Sequence, residues 1–270
     1  MNTELSEAAS QAPDTVDLFR INVANATYEE FCNYLDYRIQ NRLPGFIVTP
    51  NVDHVCMFHR NGRFHEAYER AFIAIPDGTP LMWSAKIFGT PLKQKLSGSD
   101  MVPALSEFAA RKGYSVFFLG GHPGTAEKSA VALQEQYPGL QVAGVNCPPM
   151  GFDTDPKALQ AVIDHLIKAK PDICFVALGA PKQEYFMSHY LDVTGIPASI
   201  GIGGSFDFVC GRTKRAPKWV QNSGFEWLWR LSMEPRRLWR RYLVDDLIFF
   251  HLFFNEIRTR VRGKILWFTR

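Results

Sequence analysis

The chain has 270 residues, of which 46% are hydrophobic, 13% aromatic and 21% charged, enough for a sizeable packed core and inconsistent with a wholly disordered chain. Its five cysteines are odd in number, widely spaced and free of any C-x-x-C pair, which excludes a disulfide scaffold and argues for a reducing cytosol. The net charge of +3 conceals an asymmetry: residues 212–270 carry 14 Lys and Arg against 5 Asp and Glu, with five of the six tryptophans, so an acidic body precedes a basic, aromatic tail suited to an anionic partner.

In chain order, residues 1–17 are polar and acidic, with neither the basic start nor the apolar run of a secretory signal, and are expected to form a disordered lead-in. Through residue 210 short apolar runs alternate with helix-like stretches. Strands are predicted at 46–51, 71–77, 115–121, 140–145, 172–181 and 198–207. Helices are predicted between them, among them 127–137, stopped by Pro138-Gly139, and 156–169, stopped by Pro171. This alternation predicts an α/β fold, a Rossmann-like and mostly parallel sheet flanked by helices, with ligands gathering beyond the carboxyl ends of the strands. No internal repeat or low-complexity tract interrupts it.

Residues 211–270 form a separate, helical appendage. Trp239, Leu243, Leu247, Phe250, Phe254 and Ile257 recur at spacings of four and three and make one apolar stripe, with Arg236, Arg237, Arg240 and Arg241 crowded at one end. The apolar run at 247–254 is far shorter than the roughly 20 residues of a spanning helix, so the stripe is expected to lie on a membrane surface. The alternatives are packing on the core or burial in a subunit contact, which leaves a homo-oligomer open. Phe249, Phe250, Phe253 and Phe254 suit lipid better than a solvated groove, so nucleic acid is not the expected partner.

Polar residues collect at the predicted strand ends. Thr49, Pro50 and Asn51 close the first strand, Asp77 and Gly78 the second, Gly179 to Glu184 the fifth and Gly201 to Asp207 the sixth. Singly, each has a structural reading: Asp-Gly is a common turn pair, Asp77 can cap a helix, and paired glycines relieve crowding. If the strands are parallel, these tips share one rim and make a site. The turn at Gly120-Gly121 leads into a helix whose backbone N–H groups can hold phosphate. Gly203-Gly204 has a similar capacity, and Asp207 can accept from a ribose or base. Neither turn is a G-x-G-x-x-G, which counts against the alternative of a nucleotide-dependent oxidoreductase. Asp153-Thr154-Asp155 resembles a metal-binding D-x-D, but Asp155 directly precedes Pro156 and a helical pattern, so it is read as an N-cap. The histidines show no metal spacing, and no metal site is predicted.

Seven fragments in this order, T-P-N-V-D-H, I-P-D-G-T-P-L, L-S-G-S-D, F-F-L-G-G, V-A-L-G-A-P-K-Q-E, G-I-G-G-S-F-D and R-A-P-K-W-V with its arginine-rich continuation, resemble the WecG/TagA/CpsF family, glycosyltransferase family 26, over roughly residues 18–245. The resemblance implies an inverting enzyme, without metal or other cofactor, that moves a sugar from a UDP-sugar to a polyprenyl-diphosphate-linked sugar in bacterial surface or exopolysaccharide assembly. It implies a place on the cytoplasmic, inner face of the plasma membrane. It puts Asp77 at the catalytic base, Thr49, Asn51 and Gln183 at sugar contacts, and Asp207 in a nucleotide-binding segment, beside which the turns read above place Gly120, Gly121, Gly203 and Gly204 in nucleotide binding. Arg212, Arg215, Arg230, Arg237 and Arg240 resemble a clamp for the acceptor diphosphate. Lys95 stands where the family usually has arginine, which keeps the charge but loses the bidentate fork. Glucose, N-acetylmannosamine and its uronate all remain open as the transferred sugar.

Overall fold

Eight strands form one sheet in the order β1-β2-β4-β3-β8-β7-β5-β6. They are β1 (Thr15–Leu18), β2 (Ile21–Ala24), β3 (Phe46–Val48), β4 (Ile73–Ala74), β5 (Ser115–Gly120), β6 (Gln141–Asn146), β7 (Ile173–Ala177) and β8 (Ala198–Gly201). Only β1 and β2 pair antiparallel; every other neighbouring pair is parallel. The computed structural model describes residues 12–268, leaving aside the side chains of Asn222, Arg237 and residues 262–268.

Alternation along each strand feeds two cores, one per face. Ile47, Val116, Phe118, Ile173 and Phe175 point to one face and meet α1 (Tyr28–Gln40), α5 (Gly98–Lys112) and α6 (Thr125–Gln136). Phe46, Val48, Phe117, Leu119 and Val176 point to the other. There they meet α2 (Val52–Arg60), α3 (Gly62–Glu69), α4 (Thr79–Ile87), α7 (Pro156–Ala169) and α8 (Lys182–Thr194). The helix α7 has the predicted bounds, because both ends are chemically marked. Asp155 accepts from the N–H groups of Lys157 and Ala158, Pro156 opens the first turn, and Lys170 turns left-handed (φ 45°) ahead of Pro171.

The amino-terminal hairpin was not predicted. Phe19 and Arg20 make its two-residue turn at φ 56° and 65°, a conformation normally signalled by Asn-Gly. Burial accounts for the exception: Phe19 is 2% exposed, its ring 5.4 Å from that of Phe88 and 5.2 Å from that of Phe249. Thr15 to Asp17, expected in the disordered lead-in, are therefore sheet, while residues 1–11 of that lead-in lie outside the described residues. Apart from β6, which is displaced by one residue, the predicted parallel strands are shorter than expected, chiefly because their polar carboxyl ends leave the sheet. Residues 49–51 form a turn and helix cap, and 205–209 form a helix of their own, α9 (Ser205–Val209).

The appendage comprises α10 (Lys218–Asn222), α11 (Glu226–Met233), α12 (Pro235–Leu243) and α13 (Ile248–Phe268). The first three lie against the carboxyl edge of the sheet. Thr79 Oγ1 donates to the carbonyl of Gln221 at 3.1 Å, and Gly224 lies so close to the Trp83 ring that a Cβ would sit 2.4 Å from it. The predicted single stripe splits in α13. Phe249 and Phe253 pack inward on Phe19 and Phe88, and Ile257 is also packed on the core. Phe250 and Phe254 face out, continuing Trp239, Leu243 and Leu247. Packing on the core and an unpartnered apolar face therefore both occur, on opposite sides of one helix. Among the described residues no helix is long and apolar enough to cross a membrane.

Candidate functional site

Because β3, β4, β5, β7 and β8 run parallel, their carboxyl ends deliver Thr49, Asp77, Gly120-Gly121, Gln183 and Gly203-Gly204 to one edge, as parallel pairing requires. Asp77 follows β4 and the buried Ile75-Pro76 pair; its N–H bonds to the carbonyl of Pro50 at 2.9 Å, so its loop and that of Thr49 to Asn51 form one unit. Burial of the carboxyl, reinforced by Glu226 and opposed by Lys95 and Arg230, raises the Asp77 pKa to about 6. This is a carboxylate poised between its two protonation states near neutrality, as a general base requires.

Three cations, from three parts of the chain, are within electrostatic reach of it. Lys95 follows α4, Arg215 lies in the segment after α9, and Arg230 is on α11. The charges of Lys95 and Arg230 act on Asp77, and Asp77 in turn acts on Arg215. Arg215 Nη1 pairs with Asp100 Oδ1 at 2.6 Å. Burial works to raise the Asp100 carboxyl, but hydrogen bonds from Arg215 and Ser97 outweigh it and hold the pKa below the ordinary value.

The remaining expected residues are placed less uniformly. Asn51 is the N-cap of α2 and accepts from the N–H of His54 at 3.1 Å. Thr49 is 4% exposed and donates to the carbonyl of Gly201 at 3.1 Å. Gln183 is 2% exposed, and both ends of its amide are used: Oε1 accepts from the Gly203 N–H at 3.1 Å, and Nε2 donates to Glu184 Oε1 at 2.8 Å. Gln183 thus reaches the site through the turn it holds. The N–H of Gly121 is likewise taken, by the carbonyl of Ala177 at 2.8 Å. The N–H groups expected to be phosphate donors at Gly121 and Gly203 are therefore both engaged within the protein. Gly120 needs its missing side chain: at φ 90°, a Cβ would lie 2.6 Å from the oxygen of Ala177.

Asp207 stands at the head of a cleft between the β8 loop and α11, lined by Gly204, Phe208, Lys214, Trp229 and Arg230. Arg212 pairs with Asp207 at 3.1 Å, and His122 lies 3.8 Å away. Arg212 is therefore committed to the expected nucleotide side of the site. Arg230 both lines this cleft and acts on Asp77, joining the two halves. Arg240 is exposed on α12, and the Arg237 side chain lies outside the described residues. Of the D-x-D pair, Asp155 caps α7 and Asp153 pairs with Lys182 at 3.0 Å.

Two buried clusters escaped sequence reasoning although Asp53, His54, Glu184 and Arg241 among their residues fall inside quoted motifs. In one, the neutral His54 ring, its pKa lowered to about 3 by burial, bonds Tyr68 and lies 4.0 Å from Glu184, whose pKa burial raises to about 7. In the other, Arg241 of α12 pairs with Asp53 of α2 at 3.1 Å beside Asp246, and burial raises both carboxyls. Only the tertiary fold brings these partners together.

The family model described as Glycosyl transferase WecG/TagA/CpsF family matches residues 16–263. A curated relative from Bacillus spizizenii, an N-acetylglucosaminyldiphosphoundecaprenol N-acetyl-beta-D-mannosaminyltransferase, is 31% identical over 85% of this chain and 87% of its own. One from Bacillus subtilis with the same name is 28% identical over the same shares. A family match spanning nearly the whole chain, on a parallel sheet whose carboxyl edge presents the quoted motifs together, leaves no room for the oxidoreductase alternative. The chain belongs to the WecG/TagA/CpsF family of glycosyltransferases.

Proposed function

We propose that the protein is an inverting, metal-independent glycosyltransferase. It moves a hexose-type sugar from a UDP-sugar to a polyprenyl-diphosphate-linked sugar at the inner face of a bacterial membrane. The observation that carries the reading is the setting of Asp77: a carboxyl raised to about 6, in a loop bonded to that of Pro50 at the sheet edge, within electrostatic reach of Lys95, Arg215 and Arg230. The names of the two relatives, which act on a sugar-diphosphate-undecaprenol, supply the acceptor class.

In a single displacement the acceptor hydroxyl attacks the anomeric carbon while UDP departs from the opposite face. Asp77 takes the hydroxyl proton as the new bond forms. Negative charge grows on the departing diphosphate, where Lys95, Arg215 and Arg230 offset it. The cleft headed by Asp207 receives the nucleotide, and Thr49, Asn51 and the Gly203 turn held by Gln183 shape the sugar pocket. The appendage meets the anionic leaflet, where each basic residue near the surface contributes on the order of 1 kcal/mol. Its outward Phe250 and Phe254 enter the interface.

The test is UDP release from a panel of UDP-sugars, with and without a short-chain lipid-diphosphate-sugar acceptor, in the presence of EDTA. Acceptor-dependent release that survives EDTA, with inverted anomeric configuration in the product, supports the reading and identifies the donor. Abolition by EDTA or retention of configuration overturns the proposed mechanism.

A further inference from the structure

We propose that Asp100 is a positioning residue for diphosphate binding: it holds Arg215 by one nitrogen, so that the opposite edge of the guanidinium is kept for two oxygens of a diphosphate. The proposal rests on the glycosyltransferase reading for the identity of that diphosphate. Its first support is the way Asp100 is mounted. It sits in the first turn of α5, where its own N–H and that of Met101 both bond to the carbonyl of Ser97 at 2.9 Å. The Ser97 hydroxyl donates to Asp100 Oδ2. One residue earlier, the N–H of Leu96 bonds to the carbonyl of Pro76 at 2.9 Å, which fixes the whole mount to the loop bearing Asp77.

The second support is what remains of Arg215. Nη1 is taken by Asp100 Oδ1 at 2.6 Å, while Nε and Nη2 are shielded from solvent and meet no hydrogen-bond acceptor among the described residues. Nε–H and Nη2–H are the two parallel donors on one side of the planar group, the pair that matches two oxygens of a phosphate or carboxylate. The Arg215 guanidinium lies within the electrostatic reach of Asp77 and Glu226. An ion pair serving only to dock the appendage leaves two buried donors unmatched without gain, and lysine at 215 would serve it nearly as well. A diphosphate fork requires the arginine. The arrangement also supplies, from the appendage side, the bidentate geometry that Lys95 lacks.

The test measures binding of inorganic diphosphate, UDP and uridine by calorimetry to the full-length protein. The proteins compared are wild type, Arg215→Lys, Asp100→Ala, Asp100→Asn and the Asp100→Ala/Arg215→Lys double variant, with thermal midpoints recorded for each. Loss of a bidentate charge-assisted pair is expected to weaken inorganic diphosphate about tenfold or more in Arg215→Lys and Asp100→Ala, with uridine unchanged. The double variant should be no weaker than Arg215→Lys alone, because both act through one fork. Asp100→Asn, whose amide oxygen still accepts from Nη1, should restore most of the affinity. If UDP weakens in parallel, the fork serves the donor. If UDP is unchanged while the KM for lipid acceptor rises, it serves the acceptor. Arg215→Lys binding inorganic diphosphate as tightly as wild type, wild type failing to bind it, or additive losses in the double variant each overturn the proposal. Failure of the glycosyltransferase reading is seen separately, as absence of UDP release by wild type.

Discussion

A carboxylate acts as a base only when ionised, so under the role proposed for Asp77 the pH dependence of the reaction reports on its surroundings. With the folded pKa raised to about 6, kcat/KM should fall as pH drops through 6 and level off above it. Had Asp77 kept an ordinary carboxylate pKa near 4, the rate would hold steady across that range. Glu226→Gln removes the like charge that reinforces burial and should shift this limb to lower pH. A limb unmoved in Glu226→Gln, or one centred near 4, contradicts the assignment. The motifs showed Asp77, Thr49, Asn51 and Gln183 as polar residues at strand ends. They did not show that the amide of Gln183 is spent on Gly203 and Glu184, or the N–H of Gly121 on Ala177. Residue type records what a group can bind; which partner it takes is decided by chain segments brought together only on folding.

The elements follow the same division. Helix α7 was legible to the residue because its cap, its first-turn proline and its terminating proline are local signals. The β1-β2 hairpin was illegible because its turn residues Phe19 and Arg20 are left-handed and Phe19 is held there by burial against Phe88 and Phe249, which are distant in sequence. The Asp53–Arg241–Asp246 cluster, which ties α12 and the start of α13 to α2, is a second such case and has a measurable consequence. Asp246 is raised to about 7, chiefly by burial and then by Asp53, with Asp245 adding and Arg241 opposing. The folded state therefore holds a proton that the unfolded state releases near pH 4. The stability this provides is complete below pH 4 and is lost as pH rises through 7. Glu184, raised to about 7 by burial, adds a loss of the same sign. Asp246→Asn should flatten part of the decline in thermal midpoint between pH 5 and pH 8, and an unchanged slope would show that the cluster does not hold that proton.

At the scale of the molecule, the chain is a mostly parallel sheet with its candidate site along one edge and an appendage laid over that edge. Charge and aromatic content marked the appendage from the sequence, but only the fold separates its inward side from its outward one. Phe250 and Phe254 are 60% and 58% exposed, whereas Phe249 is 8% exposed against Phe19. Phe250→Ser/Phe254→Ser should reduce sedimentation with anionic vesicles while leaving the thermal midpoint in place. Phe249→Ser should lower the midpoint, at a cost of about 3 kcal/mol or more for a buried aromatic. Equal vesicle binding by the double variant and wild type would remove the outward face as the membrane contact. The proposed chemistry depends on the carboxylate at the sheet edge being the base. The most direct measurement is UDP release by the full-length protein with its lipid-diphosphate-sugar acceptor, comparing wild type with Asp77→Asn and measuring UDP affinity alongside. Asp77→Asn should bind UDP as wild type does and lose about 10²-fold or more in turnover. A variant that turns over at the wild-type rate would contradict this and move the base elsewhere on the rim.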